Sequence, residues 1–278
     1  MSSNTIKLSL LLCLSMCLGI GILRFSYTAL LPGTREAFGW STDFASLLGS
    51  ANLLGYLIGA FTAMRLPQDR SMSTYIQISA FAGMFSLMCC AFSGFSEAWY
   101  IAWRIISGIS GGLMMILSPS VVAQCCELQD RLKINFIGFS VIGVGVLVAT
   151  LFLPYLDQIS VQTAWLILWG FALLMSTVLS LLLQQFKPYL SLQAPAVTAH
   201  LPLNSIFYSL LTVYACSAFA YIPHSLFWID YLSQQLGLSL FWINFNWILY
   251  GLGSALGALS AYALARKWGN FAALKILY

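Results

Sequence analysis

The chain has 278 residues, of which 60% are hydrophobic and only 7% charged. A soluble domain carries about 25% charged residues, so the missing polar surface must face lipid, and a water-soluble domain is excluded. The net charge of +4 comes with no basic run, which excludes nucleic acid as a partner and makes the placement of the cations more informative than their number.

A bilayer core takes about 20 apolar residues per helix. Eight stretches meet that length, over 7–31, 43–64, 73–95, 98–120, 133–154, 162–185, 204–229 and 240–264, and a ninth starts near Trp268. The expected fold is all-α and polytopic, with eight full membrane spans plus the beginning of another. The first stretch has Lys7 ahead of its apolar run, but no small-x-small cleavage site follows and the run continues to Leu31, so it reads as an uncleaved helix rather than a signal peptide. Within it Arg24, Tyr27, Thr28 and Leu31 share one face at helical spacing. An arginine inside a span costs about 2.5–3.5 kcal/mol on insertion scales, so it faces a cavity or reaches back to the surface. A cavity-facing Arg24 offers a planar donor fork to a carboxylate or phosphate; the alternative is snorkelling to the outer surface, about seven residues away.

On the second stretch, Asn52 and Tyr56 stand four residues apart, facing a cavity or an interhelical hydrogen bond, and Gly55 and Gly59 form a small-residue packing pattern. Arg104 lies early in the fourth stretch with Gly108, Gly111 and Gly112 after it. It attracts an anion or tunes a proton site, or else pairs with Glu97. The seventh stretch repeats Tyr214, Tyr221 and Trp228 every seven residues and holds Pro223 and His224. Pro223 is positioned to break the helix and free backbone groups for a ligand, and His224 titrates near neutral pH as a proton relay or makes a structural hydrogen bond. The eighth offers Asn244, Asn246 and Tyr250. Trp40, Trp99, Trp165 and Trp242 sit near span ends, as an aromatic belt requires. The seven cysteines lie in or beside apolar stretches and read as packing residues.

Placing the N-terminus inside puts Lys7, Arg65, Arg70, Arg131, Lys133, Lys187, Arg266 and Lys267 on the inner side and only Arg35 on the outer. That asymmetry is the positive-inside pattern. Asp43, Glu97 and Asp230 all lie near span ends, so no carboxylate carrier for protons is visible. Phosphate-loop, zinc-protease and serine-hydrolase motifs are absent and only two histidines exist, which argues against an ATP engine, a metal or other cofactor, and an intramembrane enzyme.

Residues 186–203, with Pro188, Pro195, Pro202 and His200, read as a cytoplasmic linker between a six-helix bundle over 1–185 and a partial bundle over 204–278. An internal repeat supports this division. Gly55-Tyr56-Leu57-Ile58-Gly59-Ala60 returns as Gly253-Ser254-Ala255-Leu256-Gly257-Ala258, offset by 198 residues, and Phe25-Ser26-Tyr27 returns as Phe219-Ala220-Tyr221, offset by 194. Two parallel halves of that period need about 400 residues, so one half and roughly the first three helices of a second are expected here.

Three stretches carry a family resemblance: Gly19-Ile20-Gly21 through Arg24-Phe25-Ser26-Tyr27-Thr28-Ala29-Leu30-Leu31-Pro32, then Ser50 through Ala60, and Arg104-Ile105-Ile106-Ser107-Gly108. The sequence resembles a major facilitator superfamily transporter, most closely of the YbfB/YjiJ type, over the first two thirds of a family member. The loop Arg65-Leu66-Pro67-Gln68-Asp69-Arg70 keeps only a displaced Asp-Arg of the superfamily's loop motif, and the fifth stretch has Gly138, Gly143 and Gly145 in place of the antiporter Gly-Pro pair. The resemblance implies secondary transport of a small solute by alternating access in a bacterial cytoplasmic membrane. Arg24, Tyr27, Thr28, Asn52, Tyr56, Arg104, Tyr221, His224 and Asn246 are the candidate substrate-binding residues. Arg24 points to an anionic or zwitterionic substrate and His224 to proton coupling. The alternative is a truncated, inactive remnant or a non-transporting membrane sensor or assembly protein.

Overall fold

The computed structural model describes residues 3–156, 160–192 and 204–277. The described residues form helices and no strand, and eight helices are long and apolar enough to cross a membrane. The first span is a compound one: α1 (Ser3–Met16), a π-helical turn over Cys17–Ile22, and α2 (Phe25–Phe38). There follow α3 (Thr42–Arg65), α4 (Ser71–Cys89), α5 (Glu97–Cys125), α6 (Leu128–Leu156), α7 (Val161–Phe186), α8 (Ser205–Asp230), α9 (Leu240–Trp268) and the short α10 (Asn270–Leu277).

Local chemistry sets the boundaries. Ser41, Ser160 and Asn204 each accept a hydrogen bond from the backbone N–H three residues on, capping α3, α7 and α8. Gly39 closes α2 in the left-handed region at φ 67°, and its N–H reaches back to the carbonyls of Arg35 and Glu36. The first span therefore ends at Phe38 rather than Leu31, and Pro32 is carried within α2. α4 stops at Cys89, short of the expected 95, because Trp99 Nε1 takes the Cys89 carbonyl and Tyr100 Oη the Phe92 carbonyl, folding the 90–96 loop back onto α5. Of the belt tryptophans, Trp165 is fully buried and donates to Thr34 Oγ1 at 3.0 Å, so it joins α7 to α2 instead of anchoring at an interface. The linker from 193 to 203, including His200, lies outside the described residues.

α1 to α7 pack as one group, with α5 central: α3 and α4 lie along it, α7 lies along α4, and α6 along α1. The α3–α5 seam is the tightest. A Cβ on Gly55 or Gly59 would strike the carbonyl oxygens of Ile105 or Ile109, and one on Gly108 or Gly112 would strike those of Asn52 or Tyr56. Two Gly-x-x-x-Gly faces thus interlock backbone to backbone, which is how helices associate where no hydrophobic driving force separates them from lipid. α8 docks on α2, and α9 runs along α6, again through glycine: Gly143 meets the Gly251 carbonyl and Ala255.

The chain segments after α3 and α7 meet at the end of the bundle that carries Ser3. Arg70 donates to the carbonyls of Pro188 (3.2 Å) and Leu190 (3.4 Å), while Gln124 on α5 donates to the Gln68 carbonyl (2.9 Å) and accepts from Ser191 N–H (3.3 Å). The displaced Asp69-Arg70 pair thus serves two local tasks. Arg70 holds the chain leaving α7, and the Asp69 carboxylate accepts from Ser71 N–H (2.8 Å) and Oγ (2.5 Å) to start α4. Those bonds hold the Asp69 carboxyl below its ordinary value of 3.8. A lowered carboxyl stabilises the fold when ionised. Its contribution is complete above the ordinary value and disappears as pH falls through the lowered one. Asp69→Ala is therefore expected to reduce the melting temperature slightly at pH 7 and by less at pH 2; an equal reduction at both pH values would contradict the role of the ionised carboxylate.

Candidate functional site

The site begins with a break in the first span. Leu23 N–H bonds the Leu18 carbonyl at 2.9 Å, five residues back, and a π-turn of this kind rotates everything after it relative to a continuous α-helix. The turn is held by close neighbours: Gly19 lies against Gly111 and Met114 of α5, and Gly21 against Gly145 of α6. Leu23 and Arg24 then form a turn before α2 starts. The Leu23 carbonyl accepts from two side chains of α5, Arg104 Nη1 (3.4 Å) and Ser107 Oγ (3.1 Å).

The break separates residues that a regular helix would align. Tyr27 turns inward, 2% exposed, with its hydroxyl on the Ala45 carbonyl (2.8 Å) and its ring under the Arg104 guanidinium (4.2 Å). Thr28 Oγ1 reaches α8 and donates to the Ser225 carbonyl (3.2 Å). Arg24 is half-buried and stands between its own Phe25 ring (5.3 Å) and the Tyr221 ring of α8 (5.6 Å). Its Nε is buried and has no hydrogen-bond partner among the described residues. Arg24 lies fourteen positions short of the end of α2 at Phe38, about 21 Å at 1.5 Å per residue.

Facing Arg24 is a set of aromatic and titratable groups from α3, α8 and α9. Tyr221 and Tyr250 hydroxyls meet at 2.5 Å. Trp247 stacks on Tyr250 at 4.7 Å and 7°, and the His224 ring lies 4.7 Å from Trp228 and 5.8 Å from Tyr250. His224 and Tyr221 are exposed. α8 passes through position 223 as one helix, so the break expected at Pro223 is absent. The irregular backbone lies instead in the first span and in a π-turn at Tyr231–Gln235.

Of the nine candidates from sequence, the fold therefore brings Arg24, Tyr56, Tyr221 and His224 together, with Thr28 at the edge. Tyr27, Asn52 and Arg104 lie inside the first helix group. Asn52 Nδ2 donates to the Arg104 carbonyl at 3.1 Å, an interhelical bond. Arg104 is 2% exposed, and Glu97, its expected partner, is exposed in the first turn of α5. Asn246 donates to the Trp242 carbonyl of its own helix at 2.9 Å. Phe25, Trp247 and Ser107 were not anticipated. Trp247 and Tyr250 at three-residue spacing offered a weak signal, and Ser107 stood only as part of the Arg104-Ile105-Ile106-Ser107-Gly108 stretch, without a role of its own. A second groove, of about 670 Å³, lies between the start of α8 and α10. Ile206, Leu210, Phe271 and Leu274 line it, with Tyr214 and Lys275 as the polar side chains, so it is a predominantly apolar groove.

The family model described as the uncharacterised MFS-type transporter YbfB matches residues 16–278. The chain belongs to this YbfB-type family of the major facilitator superfamily. It is a multi-pass membrane protein of a transporter family, not an enzyme. No curated protein matches the sequence. Among solved structures, a D-xylose–proton symporter is similar at 17% identity and TM-score 0.55, over 95% of this chain and 69% of that one. A bacterial homologue of the human lysosomal transporter Spinster, inward-facing and unoccupied, is similar at 18% and 0.65, over 96% and 64%. The xylose transporter XylE from E. coli, partially occluded and inward-open, is similar at 17% and 0.63, over 96% and 74%. At such identities the likeness is one of fold. The YbfB-type chain spans between 64% and 74% of the length of these three structures.

Proposed function

We propose that the protein carries a small anionic or zwitterionic solute across a bacterial cytoplasmic membrane by alternating access. The observation behind this reading is Arg24, a mid-span guanidinium with no carboxylate partner among the described residues, 5.6 Å from the Tyr221 ring of α8, whose hydroxyl meets that of Tyr250 on α9. A cation in that position is costly unless a ligand neutralises it, and the planar fork suits a carboxylate or phosphate. Residues 1–185 act as one bundle, 186–203 as the cytoplasmic linker, and 204–278 as part of the second bundle that rocks against the first. The Ser3 end faces the cytoplasm, since Lys7, Arg70, Arg131 and Lys187 gather there and Arg35 lies at the other end. His224, beside Trp228 and Tyr250, is the group through which proton coupling would act.

Thermal-shift measurement on the purified protein tests the charge class, because a ligand that binds only the folded state raises the melting temperature. The panel contains benzoate, succinate and inorganic phosphate as anions, alanine as a zwitterion, choline as a cation and xylose as a neutral solute. Stabilisation is expected from anions or zwitterions alone, and Arg24→Ala is expected to abolish it. Stabilisation by choline or xylose alone, or shifts that persist in Arg24→Ala, would contradict the proposal.

A further inference from the structure

We infer that Arg104 and Ser107 are positioning residues, which hold the first span broken at Leu23 so that residue 24 projects toward α8. This rests on the reading of Arg24 as the substrate anchor. The argument starts from one carbonyl. Leu23 is fully buried, and its side chain packs against Gly83 of α4. A buried carbonyl must be satisfied. In a continuous helix the N–H of residue 27 would do so; here Arg104 Nη1 and Ser107 Oγ supply side-chain donors, one helical turn apart on α5.

The donors are themselves fixed. Asn52 of α3 donates to the Arg104 carbonyl, the Tyr27 ring lies 4.2 Å from the guanidinium, and the Tyr27 hydroxyl is tied to Ala45. Arg104 is therefore sealed from any solute, and it acts through Leu23 on its neighbour. Two donors from a rigid helix make the bent conformation the satisfied one. Without them the Leu23 carbonyl regains its satisfaction only by closing a regular turn with Tyr27 N–H, which rotates residue 24 away from Tyr221.

The test reads the direction of residue 24 without needing a solute. Arg24→Cys is prepared in the full chain and labelled in detergent with a negatively charged methanethiosulfonate, and modification is followed peptide by peptide by mass spectrometry. Cys216, which is native, free and exposed on α8, reports global integrity. Ser107→Ala or Arg104→Met alone, each leaving one donor, is expected to preserve labelling of the thiol introduced at position 24 within about threefold. The two together are expected to slow it about tenfold with Cys216 unchanged, and Ser107→Thr in the Arg104→Met background to restore it. An unchanged labelling rate at position 24 in the double variant would overturn the inference. So would a parallel change at Cys216, which marks loss of the fold rather than rotation of one residue. Because labelling involves no solute, its failure is distinct from failure of the solute panel, which would count against the transport reading instead.

Discussion

Gly108→Val is expected to leave little folded protein. Gly108 sits in the α3–α5 seam, where a Cβ would enter the space of the Asn52 carbonyl and approach Tyr56 N to 2.7 Å. The obstacle is backbone on a packed helix and cannot rotate aside as a side chain does. Overpacking in a core costs about 1–3 kcal/mol where side chains can adjust, and more where they cannot. The expected cost therefore exceeds about 3 kcal/mol, which for a chain of this size lowers the melting temperature by about 10 °C. Gly55, Gly59 and Gly112 meet carbonyl oxygens in the same way and should behave alike. Gly170→Val and Gly257→Ala are the controls, since no described atom lies within 4 Å of a Cβ at either position. A thermal melt in which Gly108→Val matches Gly170→Val would show that the seam is not close-packed. The contrast also qualifies the internal repeat. Gly253 and Gly257 echo Gly55 and Gly59 in sequence, yet only the first pair is in contact with a neighbouring helix among the described residues.

Arg24→Ala is expected to separate binding from stability. A hydrogen bond to a charged group contributes about 1.5–3 kcal/mol, so loss of the guanidinium should weaken binding of an anionic solute by about 10- to 150-fold. The melting temperature of the ligand-free protein should stay level or rise, because a half-buried cation without a counter-ion is removed and only ring contacts at 5.3 Å and 5.6 Å are lost. Arg24→Lys keeps the charge but not the fork and should lie between the two. Titration calorimetry with the best anion from the solute panel, beside a melt of each variant, reads both quantities. Equal loss of binding and stability would mean that Arg24 holds the helices together; no loss of binding would remove it from the site.

Much of the architecture was legible in one dimension. Apolar runs of about 20 residues located the eight spans because lipid demands continuous hydrophobic helices, and the spans agree with the structure apart from their ends. The largest disagreement, the end of the first span, has a local cause: α2 continues through Pro32 to the left-handed cap at Gly39. The seam glycines were also readable, since close helix approach in a membrane selects small residues.

The site was legible only in part. Arg24 stands out in the sequence because a charge in a span is rare, and the same reasoning singled out Arg104 with equal force. Composition could not rank them, since both are arginines early in or midway along apolar helices. Their difference is tertiary. Arg104 is enclosed by Leu23, Tyr27 and Asn52, whereas Arg24 faces Tyr221 across the contact between α2 and α8. Tyr27 and Thr28 show the same limit, as helical periodicity grouped them with Arg24 and the π-turn sent Tyr27 toward α3.

The sequence by itself determined that this protein is a multi-pass helical bundle, which residue types its membrane interior must explain, and which family it belongs to. Those properties follow from hydrophobic length and from motifs written locally along the chain. Only the tertiary structure decided which arginine is sealed and which is available, because that depends on a single backbone carbonyl at Leu23 and on donors from α5, more than eighty positions away. A hydrogen bond across that separation leaves no periodic trace in either segment, so folding alone reveals it.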